Sequence, residues 1–286
     1  MRVPQRLIAL AIVIFALVAP GAMAWAGDGQ PSPWQLGFQQ SATPNMDHIE
    51  WFHDYLLVLI TLITAFVLIL LIYVIVRFNA AANPVPSKTT HHTLLEVVWC
   101  VVPVLILLMI AIPSFKLLFD QLILPPADVT VKATGKQWYW TYSYPDNGNF
   151  EFDSLMVPEK DLKAGQPRLL AVDNDMVVPV NKVIRLQTTG ADVIHAFAMP
   201  SFGVIIDAVP GRLNEAWFKP VRQGVYYGQC RELCGKDHAF MPIAVRVVSE
   251  SEFAAWAAQA KQKYARQEGA PATAIAAAGD TTTSRN

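Results

Sequence analysis

Residues 56–76 read LLVLITLITAFVLILLIYVIV, without one charged side chain. A helix rising about 1.5 Å per residue crosses the roughly 30 Å hydrocarbon layer over such a length. Only a segment that bonds all its backbone groups internally is stable in lipid, so this stretch predicts a transmembrane helix. A second span is predicted at 97–115, VVWCVVPVLILLMIAIPSF, with kinks expected at Pro103 and Pro113. Cys100 inside it is expected to act as a small buried hydrophobe.

Working outward, the loop 77–96 carries Arg77 and Lys88 against Glu96. Residues 27–76 hold no Lys or Arg, and Asp28, Asp47, Glu50 and Asp54 precede the first span. The positive-inside rule therefore predicts a cytoplasmic loop with both termini outside. Ahead of the hairpin (27–119), residues 1–26 have the pattern of a signal peptide. Arg2 and Arg6 form a basic start, LIALAIVIFALVA an apolar run, and AMAWA a small-residue cleavage region after Ala24 or Ala26. The 53% apolar and 16% charged composition fits a membrane protein better than a soluble domain.

From about residue 120 the pattern changes to short β-branched and aromatic runs: VTVKAT, QWYWTYSY, RLLAV, VIRLQTT, VIIDAV, GVYYGQ and PIAVRVV. Punctuation by PDNG, KAGQP and VPGR predicts an antiparallel sandwich or barrel over 120–266. Ser249 and Glu252 have capping-box spacing ahead of a helix with Phe253, Trp256, Ala260 and Tyr264 on one side. Residues 267–286 are poor in large apolar side chains and read as a disordered tail. Between 120 and 265 there are 16 acidic and 15 basic side chains, a balance that offers nothing to nucleic acid.

The chemistry is concentrated in QCRELCGKDHAFM, 229–241, which holds two of the three cysteines. A Cys230–Cys234 disulfide is one reading, and the compartment permits it, although so short a loop adds little entropic stabilisation. Zinc is a second, since it takes Cys and His with this pair spacing. A thioether at Met241 favours copper, and two thiolates can bridge two copper ions if a second histidine joins His238. His195, in VIHAFAMP, is the other histidine of the external domain. Spacing alone leaves all three readings open.

The combination of signal peptide, membrane hairpin and a β domain with H…C-x-E-x-C-x₃-H-x₂-M resembles subunit II of cytochrome c oxidase. The likeness runs from about residue 35 to 265 through GKQWYWTYSYP, DVIHAFAMPSFGVIIDAVPGRLNEAWF and GVYYGQCRELCGKDHAFMPIAV. It implies an α+β membrane protein: a two-helix hairpin followed by an all-β, cupredoxin-like Greek-key barrel. It further implies a dinuclear copper A centre, bridged by Cys230 and Cys234, with His195 and His238 as terminal ligands. Met241 would complete one copper's shell and the Glu232 carbonyl the other's. The Glu232 side chain would help hold a magnesium ion shared with subunit I; read alone, it is a solvated loop residue.

By the same resemblance Trp138 is where electrons arrive from cytochrome c, and Glu96 marks the mouth of a proton path into subunit I. Without it, Trp138 reads as packing and Glu96 as a charge that snorkels to water. Implied partners are subunits I and III, cytochrome c and membrane lipid. The implied activity is oxygen reduction to water in subunit I with proton pumping, in a bacterial inner membrane with the copper domain in the periplasm. Acids that would steer a basic cytochrome are Asp146, Glu151, Asp153, Asp192 and Asp207. Ser143 and Lys136 depart from the pattern, standing where relatives often carry an acid and a histidine. A quinol-oxidase subunit II would lack the copper ligands, a fused cytochrome domain would need C-x-x-C-H, and a non-redox scaffold would bind no copper.

Overall fold

The structure is a computed structural model that describes residues 29–264. The expected signal peptide and C-terminal tail lie outside the described residues. Helices α1 (Pro44–Arg77) and α2 (Thr93–Leu122) contain the two apolar stretches and extend well beyond them. Both are long and apolar enough to cross a membrane, and none of either helix's most apolar window is buried within the chain. Uncovered Leu, Ile, Val and Phe side chains on every face require lipid or other protein around them. Cys100 is exposed on this surface rather than buried, because two helices alone cannot enclose a side chain on their outer faces.

Starts of the helices are capped by side chains. Thr43 accepts from the Met46 amide at 3.1 Å, and its hydroxyl donates to the Phe202 carbonyl at 2.8 Å. One buried hydroxyl thus caps α1 and fastens it to the β domain. At α2, His92 Nδ1 accepts from the Leu95 amide at 3.3 Å, while Glu96 Oε1 accepts from the His92 amide at 3.2 Å. Residues ahead of α1 strap across the domain through Tyr227 N–H to Gly29 O, Ala42 N–H to Ser201 O and Val221 N–H to Ala42 O.

The external domain is a sandwich of ten strands: β1 (Val129–Lys136), β2 (Tyr139–Tyr144), β3 (Phe150–Ser154), β4 (Met176–Pro179), β5 (Ile184–Gly190), β6 (His195–Met199), β7 (Val204–Ala208), β8 (Asn214–Phe218), β9 (Gly224–Cys230) and β10 (Pro242–Val248). One sheet has the order β3-β2-β1-β5-β8 and the other β4-β10-β9-β6-β7. The strict alternation of buried and half-buried residues along β1 and β5 gives each strand one inward face. Trp140, Tyr142 and Tyr144, two apart on β2, are fully buried between the sheets. Helix α3 (Glu250–Tyr264) is started by the expected capping box, with the Glu252 amide donating to Ser249 Oγ and the Ser249 amide to Glu252 Oε2.

Two expectations need correction. The sheets are mixed: β1 pairs with β5, and β4 with β10, in parallel. Each of these pairs is joined by a long excursion through other elements, which lets the chain return in the same direction. RLLAV is not a strand. Leu169 has φ of 65°, and the amides of Leu170 and Ala171 turn back to the Pro167 carbonyl, leaving only a Met156–Val172 bridge. Its apolar content reflects packing, not strand geometry.

Candidate metal centre

Three pieces of chain converge at one end of the sandwich. Antiparallel pairing of β6 with β9 sets Phe197 opposite Cys230, which brings His195, at the start of β6, near the end of β9. The loop after β9 supplies Cys234, and a single 3-10 turn, His238–Phe240, returns the chain to Met241 and β10. The β1–β2 hairpin, whose tip is Gln137-Trp138, closes over this loop.

The donor atoms are close together. Cys230 and Cys234 are free thiols with sulfurs 3.9 Å apart. His195 Nδ1 lies 3.9 Å from Cys230 Sγ, and His238 Nδ1 3.5 Å from Cys234 Sγ. Met241 Sδ is 3.5 Å from Cys234 Sγ, and the Glu232 carbonyl oxygen 3.4 Å from Cys230 Sγ. His195, Cys230 and Cys234 are buried, with ligand atoms within 4.8 Å of one another. Two sulfurs between two imidazoles, with a thioether and a carbonyl beside them, match the soft donor set that copper prefers.

Electrostatics point the same way. Burial opposes the Cys230 thiolate, but hydrogen bonds from His195 and the backbone at Ala196 and Glu232 outweigh it, so this thiol is held below the ordinary cysteine range. Burial and the neighbouring Cys230 charge push Cys234 up to about 12. Without a cation the pair sheds one proton easily and resists losing the second. A metal supplies the charge that removes it.

Support comes from residues that sequence reasoning did not name as holding the donor atoms in place. Asp192 Oδ1 lies 2.8 Å from His195 Nε2, so the Nε2–H donates outward and Nδ1 is the nitrogen turned to the sulfurs. Burial raises the Asp192 carboxyl, yet bonds from His195, Val193 and Gln137 hold it below its usual range. Gln137 Nε2 and Trp138 Nε1 both donate to the Cys234 carbonyl, at 2.8 and 3.2 Å. Trp140 Nε1 donates to the Met241 carbonyl at 3.3 Å. Gly135 packs directly on the histidine: a Cβ there would stand 2.7 Å from His195 Cδ2. Of these, the sequence marked Trp138 as an electron-entry residue and Asp192 only as a surface acid.

A family model described as cytochrome c oxidase subunit II, periplasmic domain, matches residues 129–248, and one for the transmembrane domain matches 31–117. A probable cytochrome c oxidase subunit 2 of Rickettsia bellii (strain RML369-C) is 49% identical over 257 residues, covering 90% of this chain and 95% of that one. The chain belongs to the cytochrome c oxidase subunit II family. The subunit 2 of Cereibacter sphaeroides is 48% identical over 251 residues, 82% of each chain. The crystal structure of the periplasmic domain of subunit II from Bradyrhizobium japonicum is 71% identical, covers 50% of this chain and 100% of its own, and aligns with a TM-score of 0.48. Membership makes this a membrane protein and a subunit of a haem-copper oxidase, and its family implies a copper A site. In this subunit II chain His195, Cys230, Cys234, His238, Met241, the Glu232 carbonyl and Trp138 are gathered at one site. Glu96 stands apart, at the far end of the hairpin, where its carboxylate caps α2.

Proposed function

We propose that this chain is the electron-accepting subunit of a cytochrome c oxidase. It takes electrons singly from a cytochrome c and passes them to haem in subunit I, where oxygen is reduced to water with proton pumping. The observation that carries this reading is the pair of sulfurs 3.9 Å apart, flanked by histidine nitrogens at 3.9 and 3.5 Å. Cys230 and Cys234 would bridge two copper ions, with His195, His238, Met241 and the Glu232 carbonyl completing their shells. A copper pair held by these residues would supply a one-electron carrier.

The chain's own residues hold that geometry fixed. Asp192 orients His195, Trp140 restrains the Met241 backbone, and Gln137 with Trp138 restrains Cys234. Trp138 is half-buried, with one side toward solvent and its N–H on the cysteine loop, which suits it to receive electrons. The exposed Glu232 carboxylate would meet a magnesium ion at the boundary with subunit I, and Glu96 would receive protons on the opposite side. The basic loop 77–96 would lie in the cytoplasm and the β domain in the periplasm, following a cleaved signal peptide. Subunit III and lipid would cover the remaining helix surface.

Electron paramagnetic resonance of the copper-loaded protein tests the centre. A hyperfine pattern from two equivalent coppers sharing one unpaired electron is expected; zinc in the site, or a Cys230–Cys234 disulfide in the metallated protein, would overturn it.

A further inference from the structure

One buried side chain touches two of the candidate ligands. Trp140 is enclosed between the sheets, and its Nε1–H donates to the Met241 carbonyl at 3.3 Å. The same indole meets the His195 ring at a steep tilt, with centroids 6.1 Å apart and planes at 61°, and the Phe197 ring at 5.5 Å and 77°. His195 opens β6, and Met241 immediately precedes β10. In their sheet these strands flank β9, which ends in Cys230. A single indole from the opposite sheet therefore holds the chain on both sides of the strand that carries a thiol.

Register explains the reach. Across the ladders of its own sheet Trp140 stands opposite Gly135 on β1 and Ser154 on β3. Both are small, and Gly135 yields its share of the space between the sheets to the His195 ring. Met241 is also buried, with its sulfur 3.5 Å from Cys234 Sγ. A methionine side chain is unbranched and turns about three bonds, so its thioether is only as well placed as the backbone that carries it. That backbone lies between a 3-10 turn and β10, and the indole's one N–H goes to it.

We propose that Trp140 is a positioning residue of the copper centre. By holding the Met241 backbone and the His195 ring together, it sets how closely the thioether approaches the sulfur pair, and through that the reduction potential. This rests on the electron-accepting function above and adds a determinant of its potential. A weak axial thioether tunes such a centre through its distance, and a slacker one favours the reduced form. The two tryptophans then divide the work. Trp138, half-buried, is placed to meet an incoming donor, whereas Trp140, without exposed surface, acts only on the ligands.

The test compares the copper-loaded full chain with Trp140→Phe, which keeps a ring against His195 and removes the N–H. Copper should be retained with about tenfold lower affinity, a shifted near-infrared band and a higher reduction potential. Benzothienylalanine in place of Trp140 keeps the bicyclic shape without the N–H, and should give the same shift if the Phe variant packs poorly. Met241→Leu should also raise the potential, and Trp140→Phe added to it should raise it no further, because the indole acts through the thioether. Tyr144→Phe, a change of similar kind elsewhere in the core, should leave potential and band unmoved. An unshifted potential in both changes at 140, or a full further shift on the Met241→Leu background, overturns the proposal. In the metal-free chain the ¹³C-methyl signal of Met241 should move with either change at 140 and stay in place in Tyr144→Phe; a signal that does not move also overturns it. That readout needs no copper. A parent chain without a copper A signal would therefore sink the electron-accepting reading, while the methyl signal still decides whether Trp140 positions Met241.

Discussion

His195 serves the site because of what surrounds it. Its Nε2–H is taken by Asp192 and its ring edge lies against Gly135, so only Nδ1 faces the sulfurs. Gly135→Ala would force the ring or β1 to move, an overpacking cost of about 1–3 kcal/mol. The expected outcome is a folded protein with lower copper affinity and a shifted near-infrared absorption; an unchanged spectrum would show that the contact is slack. Titration gives a second prediction. Cys234, raised to about 12, keeps its proton where an unfolded chain has lost it. Folded protein then binds more protons, so metal-free stability should fall as pH rises from about 8.5, an ordinary thiol value, towards 12. Copper must displace that proton, so copper affinity should rise with pH, and calorimetry in buffers of different ionisation enthalpy should register the release. The two cysteines and His238 were legible in their spacing. Asp192 was legible only as an acid on the surface, because a carboxylate's partner is set by where the chain folds.

At the level of elements, the first membrane helix and the β domain share the Thr43 hydroxyl. It caps α1 through the Met46 amide and donates to Phe202, which follows β6, the strand that begins at His195. Thr43→Val keeps the volume, removes the cap and leaves a buried carbonyl unpaired, a loss of about 1–3 kcal/mol. A lower melting temperature of the β domain and faster proteolysis of the strap at 29–43 are expected. Equal protease sensitivity in the two proteins would mean that the strap is held elsewhere. Tyr144 gives the corresponding test inside the sandwich. Its hydroxyl donates to the Val177 carbonyl and accepts from the Val177 amide, both at 2.9 Å, joining β2 in one sheet to β4 in the other. Tyr144→Phe should destabilise the domain by about 1–3 kcal/mol without altering the copper spectrum. Strand β2 was readable from its aromatic alternation; β4, a short run of MVVP, was not, because four residues carry too little periodicity.

Across the whole molecule, a long hairpin carries a β domain that holds the candidate metal centre, and Glu96 stands at the loop end of the hairpin. A cysteine placed at Lys88 should react with an impermeant maleimide only after the membrane is opened, and one placed at Lys160 should react in intact cells. The reverse pattern would invert the orientation. Oxidase stripped of copper should melt at a lower temperature than the loaded protein, because a ligand that binds only the folded state adds to its stability.

Sequence alone determined the two spans, the change to β structure near residue 120 and the cysteine loop, since these are local: run length, alternation and spacing act over a few residues. Only the tertiary structure decided the parallel pairings, the turn at RLLAV and the Asp192–His195 bond. The parallel pairings join segments far apart in the chain, while the Asp192–His195 bond and the RLLAV turn are close in sequence but depend on how the surrounding sheets and loops pack.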